Sequence, residues 1–495
     1  MRLTDLMDGA QGPLIITPPG DPDIRGLTAD SRTVRPGFLF AALAGSKLDG
    51  RRFVDDAVAR GAVAVLTDDP APLSTLAQHR PPVHVIFDAN PRRRLARIAA
   101  RFYAPQPETM VAVTGTNGKT SVTVFTRQIW RHLGLRAASL GTIGIVGPDF
   151  AQAGALTTPD PVSLHRELNV LARSGIDHVA IEASSHGLDQ CRLDGLELGA
   201  AAFTNLTRDH LDYHRDMEAY FAAKARLFTE LLPPDGTAVL NADSGEAARL
   251  GQLCRQRGQT VLTFGTAIGA DLRLVAARPL DTGQELRLEV FGERRDLVLS
   301  LVGAFQASNA LAALGLAIAT GAPVEGALDA LPALRGAPGR LQHVATHANG
   351  APVIVDYAHT PDALATVLGT LRAHCRGRLV VVFGCGGDRD PGKRSEMGAI
   401  AQRLADRVIV TDDNPRSENP AAIRRAILAR CPAAEEIGDR ADAIRRGLAL
   451  LEAGDLLLIA GKGHESGQIV AGVTHPFDDA VIARAAAIER GGTAS

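Results

Sequence analysis

Aromatic side chains make up only 4% of the 495 residues, with a single Trp, so any core must rest on Ala, Leu, Val and Ile. Cysteine is scarce and scattered: the five lie at 191, 254, 375, 385 and 431, with no CxxC pair and no histidine cluster at zinc spacing. An odd, dispersed set argues against a disulfide framework and fits a reducing compartment. No stretch approaches the ~18 consecutive apolar residues of a membrane-spanning helix. The opening MRLTDLMDGAQGPLIITPPG lacks the basic start and long apolar run of a secretory signal. A cytoplasmic protein with no membrane span is expected. An excess of charge of either sign is also missing, the formal net charge being -2. That gives no global reason to expect nucleic acid or an acidic membrane as partner, although a polyanionic small substrate needs only local Lys and Arg.

What is present is an ordinary globular composition, 45% hydrophobic and 22% charged, in a chain too long for one core. Two punctuated stretches, YAPQPE at 103–108 and LRGAPGR at 334–340, read as linkers. They divide the chain into domains at 1–107, 108–337 and 338–495. The first piece alternates short apolar runs (LIIT, FLFAAL, AVAVLTDD, VHVIF) with turns. In the other two, apolar runs repeatedly end in polar, reactive residues: MVAVTG before TNGKTS, HVAIE before ASSHG, AAFTN before LTRDHLDYH, then VIVDYAH, LVVVFGCGGDRD, RVIVTDDNPR and LLLIAGKGHE. Runs without alternation suit strands buried on both faces, as in parallel sheets. Helical stretches at Ser121–Leu133 and Pro361–Arg372 fall between them, which gives βαβ order. Ligands of open α/β sheets bind beyond the carboxyl ends of the strands, where the polar groups sit here. The expectation is an α/β protein of three domains, with a central P-loop parallel-sheet ATPase domain and a C-terminal Rossmann-like α/β domain, the two facing a shared cleft.

Thr114 to Ser121 reads TGTNGKTS between a Val-rich run and a helical pattern. Gly115 and Gly118 let the backbone, with Thr116 and Asn117, wrap phosphates and present N–H groups at a helix N-terminus. Lys119 would reach the β and γ phosphates, and the Thr120 hydroxyl, ahead of Ser121, would coordinate Mg²⁺. The common P-loop has a Gly where Val113 stands, but GKT at a strand-to-helix junction favours an ATP site over a plain Gly-rich turn. Glu182, at the end of HVAIE, is a natural Mg²⁺ ligand; the alternative is a helix cap by Ser184 or Ser185 with Glu182 merely nearby. His210, in the crowded DHLDYH segment, is a candidate second ligand. Lys224, in AYFAAKARLF, reads on periodicity alone as a lysine on a helix face.

In order along the chain, DSRTVRPGFLFAALAGSKLDG, TGTNGKTS, LTTPDP, EASSHGLDQCR, NLTRDHLDYH, GRLQ, DYAHTPDAL, DNPR and GKGHE resemble the Mur ligase superfamily over almost the whole length, and within it the diaminopimelate-adding branch. A folylpolyglutamate synthase-like ligase shares the central and final domain plan, but the DSR segment and DNPR argue against it. The resemblance implies ATP-dependent addition of meso-2,6-diaminopimelate to UDP-N-acetylmuramoyl-L-alanyl-D-glutamate through an acyl phosphate, by a monomer. It implies that Ser31, Ser46, Lys47 and Leu48 contact the uridine nucleotide, and that Thr157, Thr158, Ser184, Gln190 and Arg192 hold the muramoyl dipeptide and phosphates. Leu156 stands where some relatives carry Asn. Asn309, Arg340, Asp356 and His359 fall at nucleotide contacts, and Lys224 at a lysine that captures CO₂ as a carbamate supporting Mg²⁺. Asp413, Asn414, Pro415 and Arg416 form the tetrapeptide of diaminopimelate users, with Arg389, Gly461 and Glu465 completing the pocket. The chemistry agrees: diaminopimelate carries a second carboxylate for a bidentate Arg416, and lysine does not.

Overall fold

The computed structural model describes residues 1–7, 20–45, 48–69, 76, 81–154 and 156–495, and the backbone of 15–17. Ser46 and Lys47, expected at the nucleotide, lie outside the described residues. By internal contacts the chain forms two compact units: Met1–Lys119 with Gly134–Leu262 and Ala319–Gly321, and Thr120–Leu133 with Thr263–Ile318 and Ala322–Ser495. No helix among the described residues is long and apolar enough to cross a membrane.

The first unit holds two sheets. One runs Ile15–Thr17, His84–Phe87, Ala62–Thr67, Phe38–Ala41, Gly26–Thr28, parallel except for the edge strand Ile15–Thr17. The other places Thr237–Asn241, Leu198–Phe203, Thr109–Thr114, His178–Glu182 and Ala137–Gly141 side by side and parallel. The MVAV, HVAIE and AAAF runs are buried on both faces, which explains why they do not alternate. Apolar residues of the helix Pro161–Arg173 (Leu164, Leu168, Leu171) pack into the same core as Met110, Val179 and Phe203. Register does the positioning. Glu182 pairs with Val113 and Phe203 with Thr114, so three strands end level and their following residues share one edge.

The second unit contains a sheet ordered Glu435–Glu436, Arg407–Val410, Leu379–Phe383, Leu456–Ala460, Pro352–Asp356, Gln342–Thr346, Thr493–Ala494. Its inner strands are parallel, and Asp356, Phe383 and Ala460 pair at one end, with Val410 beside Phe383. Two of the helices between them start at side-chain caps followed by Pro, at Thr360-Pro361 and Asn419-Pro420. The helix Pro361–Arg372 has the bounds that its periodicity predicts. The βαβ expectation does not extend to 272–299. That segment is an antiparallel meander, Leu272–Leu280, Gly283–Val290 and Glu293–Leu299. Its middle strand alternates buried and more exposed residues, the signature of a sheet covered on one face.

Candidate active site

The phosphate loop follows the strand Thr109–Thr114 and opens the helix Lys119–His132. Gly115 has φ of +147° and Gly118 of +88°, backbone regions open to glycine. A Cβ on Gly115 would lie 1.8 Å from Thr204 Oγ1, so the loop presses on the end of the neighbouring strand. That strand end anchors it: Thr116 N donates to Asn205 O at 2.9 Å, Asn117 N to Asn205 Oδ1 at 3.0 Å, and Thr204 Oγ1 to Asn117 O at 2.6 Å. Lys119 Nζ folds back onto the carbonyls of Gly115 and Thr116, both at 2.8 Å. Thr120 and Ser121 form the first helical turn and are buried.

Lys224 corrects the expectation of a helix-face lysine. It sits on the helix Met217–Arg226 but is 1% exposed, with Nζ donating to Gly115 O at 2.7 Å and lying 4.5 Å from the Tyr220 ring centre. Helical periodicity cannot reveal this, because the neighbour that covers Lys224 comes from a loop 109 residues earlier. Burial, reinforced by the Lys119 charge at the same carbonyl, pushes the ammonium down to about 6. Above that pH the side chain is mostly a neutral amine.

Glu182 is 1% exposed and accepts from Thr142 N at 2.8 Å and Thr142 Oγ1 at 3.1 Å. Thr142 Oγ1 in turn lies 3.0 Å from Thr157 Oγ1. Thr158 Oγ1 donates to Glu182 O and accepts from Ser184 N, while its carbonyl accepts from Arg192 Nη1 at 2.7 Å. Arg192 also grips Gln190 Oε1, and Gln190 reaches Tyr213. Ser184 does cap the short helix Ser185–Asp189, through Gly187 N. Ser184 therefore caps the helix, as one reading of the sequence has it, while Thr157, Thr158, Ser184, Gln190 and Arg192 form one hydrogen-bonded network with Glu182. The sequence gives no signal for Thr142, which follows the strand Ala137–Gly141. Leu48, Ser31 and Leu156 stand outside this network: Ser31 is buried against Asp56, whereas Leu48 and Leu156 expose their side chains.

His210 has φ of +52° and is half exposed, its ring near His186, Tyr220 and Asp209. Among the described residues no group of three His, Cys, Asp or Glu side chains is placed to hold a metal. Glu182 and His210 thus make no closed metal centre by themselves. That fits Mg²⁺, which takes one or two protein ligands and completes its shell from nucleotide phosphates and water. A carbamate on Lys224 would add an oxygen donor.

Gly141 gives a direct test of Glu182. A Cβ there would lie 2.1 Å from Glu182 Oε1, so Gly141→Ala must displace the carboxylate. Turnover is expected to fall about 10²-fold, the scale of misplacing a group by about 1 Å, with the thermal midpoint lowered as well by the crowding. Unchanged turnover would remove Glu182 from the chemistry.

The second unit gathers the expected nucleotide contacts. Asn309 Nδ2 donates to Gln306 Oε1 at 3.0 Å, and Gln306 Nε2 donates to Arg340 O at 3.1 Å. The Arg340 guanidinium lies 5.1 Å from the Tyr357 ring centre, and Tyr357 stacks near His359. Asp356 is buried and accepts from Leu341 N and Ala358 N; burial raises its pKa. Gln306 and Tyr357 join this set without a motif to announce them.

Beyond the level strand ends lies a pocket of about 670 Å³ that brings together His359, Arg389, Asp413, Asn414, Arg416, Gly461 and Glu465, with Lys393 and Asp390 added. Pro415 supplies backbone to the same turn, its carbonyl accepting from Glu418 N. Arg416 adopts φ of +53°, rare for a side chain with a Cβ. It is held there by Arg416 N to Ile469 O at 2.9 Å and Ala471 N to Arg416 O at 2.7 Å. One guanidinium nitrogen, Nη1, donates to Gly387 O at 2.7 Å. The residue is strained by about 1–2 kcal/mol, the usual range for such a backbone.

The matches to known families run along the same elements. Residues 23–103 match the Mur ligase family, catalytic domain; 113–317 the Mur ligase middle domain; and 339–463 the Mur ligase, glutamate ligase domain. This chain belongs to the Mur ligase family. The Mur ligase is 53% identical over 487 residues to the UDP-N-acetylmuramoyl-L-alanyl-D-glutamate--2,6-diaminopimelate ligase of Bradyrhizobium diazoefficiens, covering 97% of each chain. It is 54% identical over 465 residues to the enzyme of the same name from Caulobacter vibrioides, covering 93% of this chain and 94% of that one. A solved structure of a ligase of that name superposes with a TM-score of 0.72 at 35% identity, covering 94% of this chain and 95% of that one. This Mur ligase is an ATP-dependent, amide-forming enzyme with the three-domain α/β architecture of its family.

Proposed function

We propose that this Mur ligase joins meso-2,6-diaminopimelate to UDP-N-acetylmuramoyl-L-alanyl-D-glutamate in peptidoglycan precursor synthesis; its relatives are named as ligases of 2,6-diaminopimelate and that UDP-dipeptide. The observation that carries the reading is the pocket of mixed charge beyond the C-terminal strand ends. Its lining holds the cations Arg389, Lys393 and Arg416 and the carboxylates Asp362, Asp390, Glu396, Asp413 and Glu465, groups of both signs for a substrate with two carboxylates and two amines. Among the described residues Arg416 bonds the protein only through Nη1, to Gly387 O, so its other N–H groups can take the distal carboxylate. We also propose that the domains divide at 107/108 and 337/338, and that the enzyme works in the cytoplasm as a monomer.

A carboxylate is a poor electrophile, so amide formation needs activation. One γ-carboxylate oxygen of the D-glutamyl residue attacks the γ-phosphorus of ATP, and ADP departs. The loop and the N-terminus of the helix Lys119–His132 would cradle the phosphates while Thr116 N and Asn117 N stay bonded to Asn205, and Lys119 would exchange its two carbonyl partners for phosphate oxygens. Thr120, Glu182, His210 and a carbamate on Lys224 are the groups that would hold Mg²⁺. Bound there, the ion neutralises charge on the transferring phosphoryl group. Thr157, Thr158, Ser184, Gln190 and Arg192 hold the dipeptide while Thr142 keeps the Glu182 carboxylate in place. The deprotonated amine of diaminopimelate then attacks the acyl carbon; phosphate leaves and the nitrogen sheds its second proton.

Hydroxylamine offered with ATP and the UDP-dipeptide, without diaminopimelate, is expected to yield the hydroxamate of the dipeptide. Absence of both the hydroxamate and positional isotope exchange in ATP would rule this route out.

A further inference from the structure

Two fully buried cations stand behind the amino-acid pocket, Lys462 and Arg440, both 1% exposed or less. We propose that they are positioning residues which hold Glu465 and Asp413 as oriented anions toward the pocket, and so set the affinity for the incoming amino acid. The proposal rests on reading that pocket as the diaminopimelate site.

Lys462 has no donor left for a substrate. Its three N–H bonds go to Gly467 O at 2.6 Å, Asn414 Oδ1 at 3.1 Å and Glu465 Oε2 at 3.1 Å. These bonds fix the Asn414 amide. Its Oδ1 accepts from Lys462 and from Ile469 N, so Nδ2 must point the other way, to Glu465 Oε2 at 2.8 Å. Both donors converge on the same carboxylate oxygen, which leaves Oε1 for the pocket that Glu465 lines. Lys462 therefore orients two pocket residues without touching what they bind.

Arg440 works on the other carboxylate. It forms a bidentate pair with Asp479 at 2.7 and 2.8 Å, and donates to Ala460 O and Asp412 O. These carbonyls stand at the last residue of the strand Leu456–Ala460 and just before Asp413, so Arg440 ties the Asp413 turn to the neighbouring strand end. Its Nη1 lies 4.0 Å from Asp413 Oδ2. That oxygen is buried and accepts no hydrogen bond from the described residues, although Asp413 lines the pocket. A Cβ on Gly461 would come within 2.6 Å of it, so only glycine leaves the carboxylate its place. A carboxylate this enclosed tends to take up a proton; burial raises its pKa, and Arg440 and then Lys462 pull against that. The cations thus oppose protonation of a carboxylate at the pocket wall, where a substrate ammonium group would meet it.

Removing a single partner of a buried ion pair leaves the other charge uncompensated and costs stability as well, so each variant's folding is checked by its thermal midpoint. Affinity for the amino acid is where a positioning role should register beyond that cost. In the full-length enzyme, Lys462→Met is expected to raise the KM for diaminopimelate about 10²-fold, the order for uncoupling a buried charge network. The KM values for ATP and the UDP-dipeptide should stay as they are. The acid limb of kcat/KM for diaminopimelate should move to higher pH, because a carboxylate that loses a cationic neighbour gains affinity for protons. Asp479, Tyr357, Arg340 and Arg416 also act on this charge cluster and are unchanged in the variant. Lys462→Arg should bring the limb back toward its original pH. If Lys462→Met fails to fold, Arg440→Lys decides by the same two readouts, with a KM increase of about tenfold or more. KM values that rise together for all three substrates, or an unmoved acid limb, would overturn the positioning role. Should the unaltered enzyme turn over lysine and not diaminopimelate, the pocket reading falls instead, and the same comparison is then made on lysine.

Discussion

Replacing Arg416 with alanine is expected to lower kcat/KM for diaminopimelate by about 10³-fold, the usual scale for truncating one partner of an enclosed charge pair. The loss should fall mainly in KM for the amino acid, with KM for ATP and the UDP-dipeptide kept. Discrimination should collapse as well. A site built around a charged hydrogen bond rejects an analogue lacking the partner by roughly 10⁴-fold or more, since the analogue leaves the buried group unpaired. Lysine is that analogue, and R416A no longer has a group to leave unpaired. The backbone sharpens the prediction. Arg416 occupies a left-handed conformation, pinned by its hydrogen bonds to Ile469 and Ala471, so the guanidinium is aimed by strain that the surrounding turn maintains. Steady-state kinetics of R416A with each diamine checks this, and an unaltered ratio between them would contradict it.

Replacing Lys224 with alanine is expected to reduce turnover by about 10³-fold, the scale of losing one preorganised charge at a transferring group. The neutral amine that CO₂ capture requires is already favoured by the fold. Burial and the nearby Lys119 charge hold Lys224 at about 6, so the amine is available above that pH and is protonated as pH falls through it. Activity of the unaltered enzyme should fall on removal of CO₂ and bicarbonate, recover on their return, and recover less well below about pH 6. Intact-protein mass spectrometry under native conditions should show the increment of CO₂, absent from the Lys224 variant. Full turnover by that variant, or indifference to CO₂, would exclude a carbamate.

Local rules make some of this molecule legible and hide the rest. The phosphate loop can be read because its conformation demands glycine at Gly115 and Gly118, and because GKT follows an apolar run. The strand ends can be read because burial on both faces leaves unbroken Val, Ile and Leu, and polar residues begin where the sheet stops. The DNPR turn can be read as punctuation, and its arginine as a specificity group only through family resemblance. Lys224 cannot be read from its helix, since the Gly115 carbonyl above it belongs to a distant loop. Thr142 and Arg440 are hidden for the same reason, their partners Glu182 and Asp479 coming from distant segments; Gln306 and Lys462 each join a neighbour three residues away to a distant partner, Arg340 and Asn414. The antiparallel meander at 272–299 departs from the βαβ pattern because its strands are half exposed, where alternation replaces continuous apolar runs.

The central claim is that the C-terminal pocket selects a diamine bearing a second amino-acid head. The most direct measurement offers the unaltered enzyme ATP, the UDP-dipeptide, and diaminopimelate and lysine together at equal concentration, with products separated by mass. The diaminopimelate adduct is expected to dominate by roughly 10⁴-fold. Comparable amounts of the two adducts, or an excess of the lysine product, would contradict the account.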